Sequence, residues 1–141
     1  MLSLPIKVLL DTSILLLSFE LPFDLFSETE RLLQARVEFL VLQQVHDELQ
    51  RLSKKQTLIG IRAFRALEIT SKCKTLRLGS VSRIGADEAL IKAGIETNAV
   101  VATADSRLRA RLRSLSIPVL SLRRNRLYCE PEIAEYWSLK P

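Results

Sequence analysis

KVLLDTSILLL, residues 7–17, is the stretch from which the fold follows. Its first apolar run ends on Asp11, hydroxyl side chains follow at Thr12 and Ser13, and apolar residues resume at Ile14. The apolar run predicts a buried first strand. A carboxylate at the end of such a strand does not stabilise the core. Open α/β sheets bind their ligands at the carboxyl ends of the strands. We therefore interpret Asp11 as the first ligand of an acidic metal site.

Short apolar runs alternate with helical patterns along the rest of the chain. Strands are predicted over 6–10, 37–42, 74–78, 99–102 and 118–122, and helices over 25–33, 43–53, 57–71, 85–96 and 105–115. The helix over 57–71 has a wide apolar face that includes Ile61, Phe64 and Leu67. In the tail, an edge strand over 127–129 and a short helix over 132–139 are predicted. This alternation favours a parallel sheet with right-handed crossovers and helices on both faces.

The bulk composition is that of one domain with a substantial core. The chain has 141 residues, of which 48% are hydrophobic, and its formal net charge is +5. A basic balance suits a polyanion such as RNA, and it equally suits an ordinary basic surface. Cys73, Cys129 and His46 have no zinc-ligand spacing, and two distant cysteines make no disulfide framework, so we expect a cytoplasmic protein.

No partner in a membrane is expected. No apolar stretch reaches the ~20 residues that a membrane helix needs. The N-terminal apolar region is broken by Pro5, Lys7 and Asp11, which does not match a signal peptide.

Four acidic residues stand where this fold would gather them. Asp11 follows the first strand, Glu48 lies in the helix after the second, Asp87 opens the helix over 85–96, and Asp105 follows the strand over 99–102. At ~100° per residue, Asp87 shares the inward face of its helix. Taken singly, Asp105 is also suited to cap a helix, and Asp87 to a first helical turn. Together the four favour a site.

Two acidic neighbours are interpreted as surface residues by the same geometry. Asp47 faces away from the apolar stripe next to Glu48 and is expected to pair with Arg51. Glu88 lies ~100° from Asp87 on its helix. It is expected to pair with Lys92.

The grouped carboxylates predict a hard divalent cation. Two bare charges ~4 Å apart repel by about 4 kcal/mol at an effective dielectric near 20. Oxygen ligands without His or Cys suit Mg²⁺ or Mn²⁺ rather than zinc. Such ions activate water for phosphodiester hydrolysis. Ser13 and Thr103 offer hydroxyls beside Asp11 and Asp105, able to hold a carboxylate or a phosphate.

The sequence resembles the PIN-domain ribonucleases from about residue 7 to residue 130. The matching pieces are VLLDTS at 8–13, VHDEL at 45–49, ADEALI at 86–91 and VVATADSRLRARL at 100–112, and the ending Arg126-Leu127-Tyr128 is also similar. Each piece is short, and their order and spacing together are fairly specific. The branch it most resembles holds archaeal proteins similar to ribosomal-RNA-processing PIN nucleases, with VapC-type toxins as more distant relatives.

The resemblance implies a single three-layer α/β/α PIN-like domain over 1–141, with a core at about 6–130, a short C-terminal tail and a central parallel β-sheet. It implies metal-dependent endonucleolytic cleavage of RNA. The acidic positions of the family fall on Asp11, Glu48, Asp87 and Asp105, and its hydroxyl before the last acid falls on Thr103. Ser13 departs from the Asn that many members carry. A homodimer, and an antitoxin or ribosome-assembly partner, are also implied.

Arginines crowd the segment after Asp105. Arg107, Arg109, Arg111, Arg113, Arg123, Arg124 and Arg126 follow it with no acidic residue among them. This run of arginines begins beside the predicted site. We therefore expect Arg107 and Arg111, together with Ser13, to bind the phosphates of a substrate. The alternative is a solvated helix face around a stripe of Leu108, Leu112 and Leu115. Tyr128 and Trp137 are suited either to stacking on bases or to packing within the fold.

Other functional classes fit the sequence less well. A haloacid-dehalogenase-type phosphatase needs a second aspartate at the position of Ser13, and a dinucleotide-binding fold needs a glycine-rich first turn that is absent. A P-loop is absent as well, and no lysine of a receiver-like domain follows the strand near Leu120. Two readings stay open beside the processing nuclease. One is a VapC-type toxin nuclease, and the other is an RNA- or protein-binding PIN-like module without activity.

Overall fold

The structure, a computed structural model, describes residues 5–78 and 84–132, in which helices and strands alternate. The strands are β1 (Ile6–Leu10), β2 (Val37–Leu42), β3 (Lys74–Leu76), β4 (Val100–Thr103), β5 (Val119–Arg123) and β6 (Arg126–Glu130). The helices are α1 (Thr12–Leu17), α2 (Leu25–Leu33), α3 (Gln43–Ser53), α4 (Leu58–Thr70), α5 (Ala86–Thr97) and α6 (Ser106–Ser114), and a 3-10 turn covers Ser18–Glu20.

The six strands form one sheet in the order β3-β2-β1-β4-β5-β6. All neighbours are parallel except β5 and β6, which pair antiparallel at the edge. The chain moves outward in one direction through β1, β2 and β3, and in the other through β4, β5 and β6. The sheet therefore has a topological switch point between β1 and β4, where open α/β sheets form their ligand crevice.

The core lies on both sides of the central strands. Val8, Leu9 and Leu10 of β1 and all four residues of β4 are buried, as expected for parallel strands covered by helices on both faces. Right-handed crossovers place α1 to α4 on one face and α5 and α6 on the other. This arrangement confirms the predicted three-layer α/β/α fold with a central, mostly parallel sheet.

Part of the wide apolar face of α4 is exposed. Ile61 and Phe64, which belong to that face, are 54% and 65% exposed. The buried positions of α4 include Gly60, Ala63 and Ala66. An added Cβ at Gly60 would lie 1.8 Å from the carbonyl oxygen of Lys55. The glycine therefore lets the start of α4 lie close to the connection from α3.

Smaller differences concern helix ends. The six-residue α1 was not predicted, because its apolar residues are consecutive and show no helical spacing. Leu115 was expected to extend the apolar stripe of α6, but it lies beyond the last turn and is 49% exposed. The predicted edge strand over 127–129 is confirmed within β6.

The predicted helix over 132–139, apart from its first residue, and Trp137 lie outside the described residues. Within 5–78 and 84–132, the structure has no helix with the length and apolar character required to span a bilayer.

Candidate active site

Asp11 is held in a network of hydrogen bonds at the end of β1. Its side chain is 4% exposed and caps α1 by accepting a hydrogen bond from the backbone N–H of Ile14 at 3.0 Å. Ser13 Oγ donates to Asp11 Oδ1 at 2.8 Å, and Thr103 Oγ1 donates to Asp11 Oδ2. Three donors therefore fix the orientation of this carboxylate before any ligand binds.

Burial nevertheless disfavours the charged form of Asp11. Desolvation raises the pKa of this carboxyl from 3.8 to about 6. The hydrogen bonds from Thr103, Ile14 and Ser13 oppose that rise, and the negative charge of Asp105 adds to it. Desolvation therefore outweighs the three hydrogen bonds in setting the pKa of this carboxyl.

Asp105 follows β4 and caps α6. Its Oδ1 accepts hydrogen bonds from the backbone N–H groups of Arg107 at 2.8 Å and Leu108 at 3.2 Å. The capping role considered from the sequence is thus real, and it orients the carboxylate. Thr103 is buried between the two aspartates, donating to Asp11 while its Oγ1 accepts from the backbone N–H of Asp105 at 3.0 Å. This threonine ties the two acids to one another.

Glu48 reaches the same region from α3. Thr12 Oγ1 donates a hydrogen bond to Glu48 Oε1 at 2.8 Å, so the residue that opens α1 also orients this carboxylate. Arg51 Nη2 lies 3.8 Å from Glu48 Oε2. The expected pairing of Asp47 with Arg51 is therefore wrong. Asp47 is exposed as predicted, and it accepts a hydrogen bond from Gln43 at 2.7 Å.

Asp87 lies in the first turn of α5. It lines the cleft described below, but it is exposed, not turned into the core as its helix face had suggested. Desolvation and the charges of Asp105, Glu48 and Glu88 raise the pKa of Asp87, and the Arg111 guanidinium opposes that rise. The acids thus act on one another across a shared space.

Glu88 does not make the expected pair with Lys92. Its Oε1 lies 2.6 Å from Arg111 Nη2 of α6, so a contact between helices replaces the contact within one helix. Arg111, which was expected to bind substrate phosphates, stands at the rim with its charge partly balanced by Glu88.

One cleft of about 280 Å³ brings the four predicted acids together. They come from four different elements or their caps: the end of β1, α3, α5 and the start of α6. The described residues that line it are Asp11, Thr12, Ser13, Leu16, Glu48, Leu52, Ala86, Asp87, Leu90 and Asp105. Thr12 was not predicted as a site residue, and nothing in its own position revealed that its hydroxyl would reach a helix 36 residues away.

The hydroxyl residues orient the acids. Ser13 Oγ donates to Asp11 and accepts from the backbone N–H of Ala104 at 2.9 Å, so its hydrogen bonds are already used inside the protein. Contact with a carboxylate is therefore better supported for Ser13 than contact with a substrate. Arg107 is exposed at the start of α6 and has no acidic partner within the described residues.

The donor chemistry of the cleft fits a hard divalent cation. The polar side chains of the described residues that line it carry only carboxylates and hydroxyls, and these are the donors that Mg²⁺ and Mn²⁺ prefer. Among the described residues, no three acids, cysteines or histidines already stand in an arrangement that would hold a metal ion. Bare carboxylates repel one another, and a bound divalent cation would offset that repulsion. The residues present therefore fit the ion, although their oxygens do not converge on one point.

Known proteins share this sequence pattern and this fold. Residues 8–125 match the family described as PIN like domain. The chain is 30% identical over 123 residues to Ribonuclease VapC4 of Methanocaldococcus jannaschii, covering 86% of this chain and 94% of that protein.

Two solved structures extend the comparison. The PIN domain endonuclease Utp24 superposes with a TM-score of 0.74 and 27% sequence identity, over 89% of this chain and 92% of that one. A domain of a functionally unknown protein from Methanocaldococcus jannaschii superposes with a TM-score of 0.60 at 20% identity, over 83% and 91%, and supports the fold alone. The resemblance drawn from the sequence is confirmed, and the chain belongs to the PIN-like domain family.

Proposed function

We propose that this protein is an endoribonuclease that requires a divalent cation, Mg²⁺ or Mn²⁺, and hydrolyses phosphodiester bonds in RNA. The observation that carries the proposal is the cleft at the switch point of the sheet, lined by Asp11, Glu48, Asp87 and Asp105. The family supports nuclease activity, because one relative is named a ribonuclease and another an endonuclease. The identity of the cation, Mg²⁺ or Mn²⁺, is a separate part of the proposal.

The four carboxylates would hold the cation. A bound divalent ion would lower the pKa of water and offset the charge that develops on a phosphodiester during hydrolysis. Its positive charge would also keep Asp11 ionised, because it would offset the desolvation that raises the pKa of this group.

The protein's own contribution is the orientation of these acids. Thr103 and Ser13 fix the Asp11 carboxylate, and Thr12 fixes Glu48. Such support lowers the reorganisation needed when a charged ligand arrives, which is the basis of electrostatic preorganisation. Arg107, next to Asp105 and without an acidic partner among the described residues, is proposed to attract the phosphates of the substrate.

A cleavage assay with a matched pair of variants tests the proposal. Labelled RNAs of mixed sequence would be incubated with Mn²⁺, Mg²⁺ or EDTA and resolved on a gel. Glu48→Gln should lose metal-dependent cleavage, because it removes a charge from the cleft. Asp47→Asn, an equivalent change at the adjacent exposed position, should cleave as the wild type does. Equal cleavage by both variants would exclude Glu48 from the site, and no cleavage by the wild type with any metal would refute the activity.

Two biological settings follow from the relatives. The resemblance to ribosomal-RNA-processing nucleases supports processing of ribosomal RNA with a ribosome-assembly partner. The similarity to Ribonuclease VapC4 supports, as a second candidate, a toxin nuclease with an antitoxin partner. A homodimer is proposed for either setting. Expression in a cell distinguishes them, since a toxin should stop growth without its antitoxin and a processing nuclease should not.

A further inference from the structure

The turn between β5 and β6 carries a concentrated positive charge that the acidic cleft does not use. Arg123, Arg124, Asn125 and Arg126 are all exposed, and they form the tip of the hairpin. Arg123 pairs with Arg126 in the last register position, which leaves a two-residue turn. Tyr128 follows on β6 and is 39% exposed. We call Arg123, Arg124, Arg126 and Tyr128 the hairpin tip.

The arginines of the hairpin tip have no acidic partners in the part of the chain that the structure describes. Arg109 and Arg111 differ, because they pair with Glu130 and Glu88. Three guanidinium groups within four residues, none of them neutralised by a described carboxylate, attract a polyanion. The hairpin tip is thus a local concentration of charge and not part of an ion-pair network.

The backbone of the turn also selects against arginine. Arg124 and Asn125 have φ angles of 51° and 60°, so the turn has both central residues in the left-handed region. Hairpin turns of this kind strongly prefer Asn-Gly or Gly-Gly. Asn125 is a residue type that tolerates the left-handed region, but a long side chain at position 124 is unfavourable there. Turn formation therefore does not explain Arg124.

Protection of an exposed strand edge is the purely structural explanation for such charges. β6 is the edge strand of the sheet, and edge strands commonly carry charges that prevent pairing with other chains. This accounts for Arg126, which lies on the edge strand itself. It does not account for Arg124, which lies in the turn. Arg123 pairs only with Arg126 at its own position, but it belongs to β5, which is an inner strand between β4 and β6.

An aromatic ring stands beside the charges. The guanidinium carbon of Arg123 lies 4.5 Å from the centroid of the Tyr128 ring, within the range of a cation–π contact. Arg123 thus covers one face of the Tyr128 ring, and nucleobases stack both on aromatic rings and on guanidinium planes while neighbouring guanidinium groups reach the phosphates. Tyrosine and arginine are also common at protein interfaces. RNA is the partner favoured here, because it is the substrate proposed for the cleft.

The position of the hairpin tip relates it to the cleft. β4 and β5 are parallel, and Thr103 pairs with Ser121. Asp105 and Arg123 each lie two residues beyond that pair, so both leave the sheet at the same edge. Neighbouring strands are ~4.8 Å apart. A single strand of RNA that passes the acids therefore continues along this edge onto the hairpin tip.

We propose that the hairpin tip is a second binding site on this protein, for single-stranded RNA, in which the three arginines hold phosphates and Tyr128 stacks on a base. This site rests on the proposed function for its partner, because RNA is the substrate assigned to the cleft. It lies outside the cleft and determines how a substrate strand is held, not how it is cut.

The test measures binding without cleavage. Fluorescence anisotropy of a labelled single-stranded RNA would be followed in EDTA at several salt concentrations. Replacing the three hairpin arginines with Gln should weaken binding by at least about tenfold at low salt, and it should reduce the slope of log K against log salt by about 2, or ~0.7 for each lost phosphate contact. Tyr128→Ala should weaken binding by about tenfold and Tyr128→Phe only slightly, because the ring does the stacking.

A charge-matched control separates the hairpin tip from general basicity. Lys54→Gln, Lys55→Gln and Arg65→Gln remove the same charge from exposed positions of α4 and the connection before it. This variant should keep nearly wild-type affinity and salt slope. Equal losses in the two triple variants, or no RNA binding by the wild type, would overturn the proposal. Circular dichroism and urea midpoints establish that each variant is folded.

The cleavage assay distinguishes this inference from the proposed function. Wild-type binding that depends on the hairpin tip, without cleavage under any metal, would sustain the inference and refute the activity. Cleavage that persists with unchanged affinity and KM in the hairpin variants would sustain the activity and refute the inference. When both hold, the hairpin variants should raise KM and leave kcat at saturating RNA nearly unchanged.

Discussion

The charged carboxylate of Asp11 should destabilise the metal-free protein at neutral pH, and Asp11→Asn should restore the lost stability. Burial raises the pKa of this carboxyl to about 6 in the folded state, from an ordinary value of 3.8. The folded state therefore binds more protons than the unfolded state between these two values, and the free energy of unfolding falls as the pH rises through that window. At ~1.36 kcal/mol per pKa unit, the loss above the window is about 3 kcal/mol.

The assay is urea unfolding followed by circular dichroism, in EDTA, from about pH 4 to pH 8. Wild type and Asp11→Asn should be similar in stability near pH 4, where the carboxyl is protonated in the folded state and about half protonated in the unfolded state. Above about pH 7 the variant should be more stable by up to about 3 kcal/mol, because Asn accepts a hydrogen bond without carrying a charge. The exposed control Asp47→Asn should change stability by less than about 0.5 kcal/mol at any pH.

Addition of Mn²⁺ or Mg²⁺ should reverse the difference. The wild type should gain stability from an ion that binds only the folded state, and Asp11→Asn should gain little. The reasoning is refuted if Asp11→Asn is no more stable than the wild type at about pH 8 in EDTA. It is also refuted if the two proteins have the same pH dependence.

Three further substitutions test the packing and the network. Thr103→Val should lower stability by about 1–3 kcal/mol and reduce cleavage, because it removes a hydrogen bond to Asp11. Thr103→Ser should preserve both stability and cleavage. Urea unfolding measures the stability, and the gel assay measures the cleavage. Gly60→Ala should destabilise the fold by more than about 2 kcal/mol, because its Cβ would overlap the Lys55 carbonyl, and a loss of urea midpoint checks this. Gly94→Ala should instead be neutral or stabilising by up to about 1 kcal/mol, since its Cβ would make ordinary contacts at 3.4 Å or more; an unfolding free energy below wild type would contradict this.

The elements that position the site could be predicted from the sequence. β1, β2 and α3 have the predicted bounds, because apolar runs and helical spacing agree with the burial that each position reaches. The carboxyl ends of parallel strands meet at one edge, so Asp11 and Asp105 could be placed together once the strands were assigned. The choice of Glu48 over Asp47 also followed from helix geometry, and the cleft contains only the former.

What the sequence could not predict depends on contacts between distant elements. The expected pairing of Glu88 with Lys92 used the i,i+4 rule, which applies within one helix. Glu88 instead pairs with Arg111 of a neighbouring helix, which that rule does not consider. Likewise Ile61 and Phe64 are apolar yet exposed, and small residues such as Ala63 and Ala66 occupy the buried face of α4 instead. The hydrogen bond from Thr12 to Glu48 joins two helices whose relative placement no local pattern encodes.

The most direct test of the account is cleavage of labelled RNA by wild type, Asp11→Asn and Asp105→Asn, each with Mn²⁺, Mg²⁺ or EDTA. The account predicts cutting by the wild type with a divalent cation, none in EDTA, and loss of cutting in both variants, which remain folded and still bind RNA. Cutting that survives both substitutions, or cutting by the wild type in EDTA, would contradict the assignment of these carboxylates as the metal site.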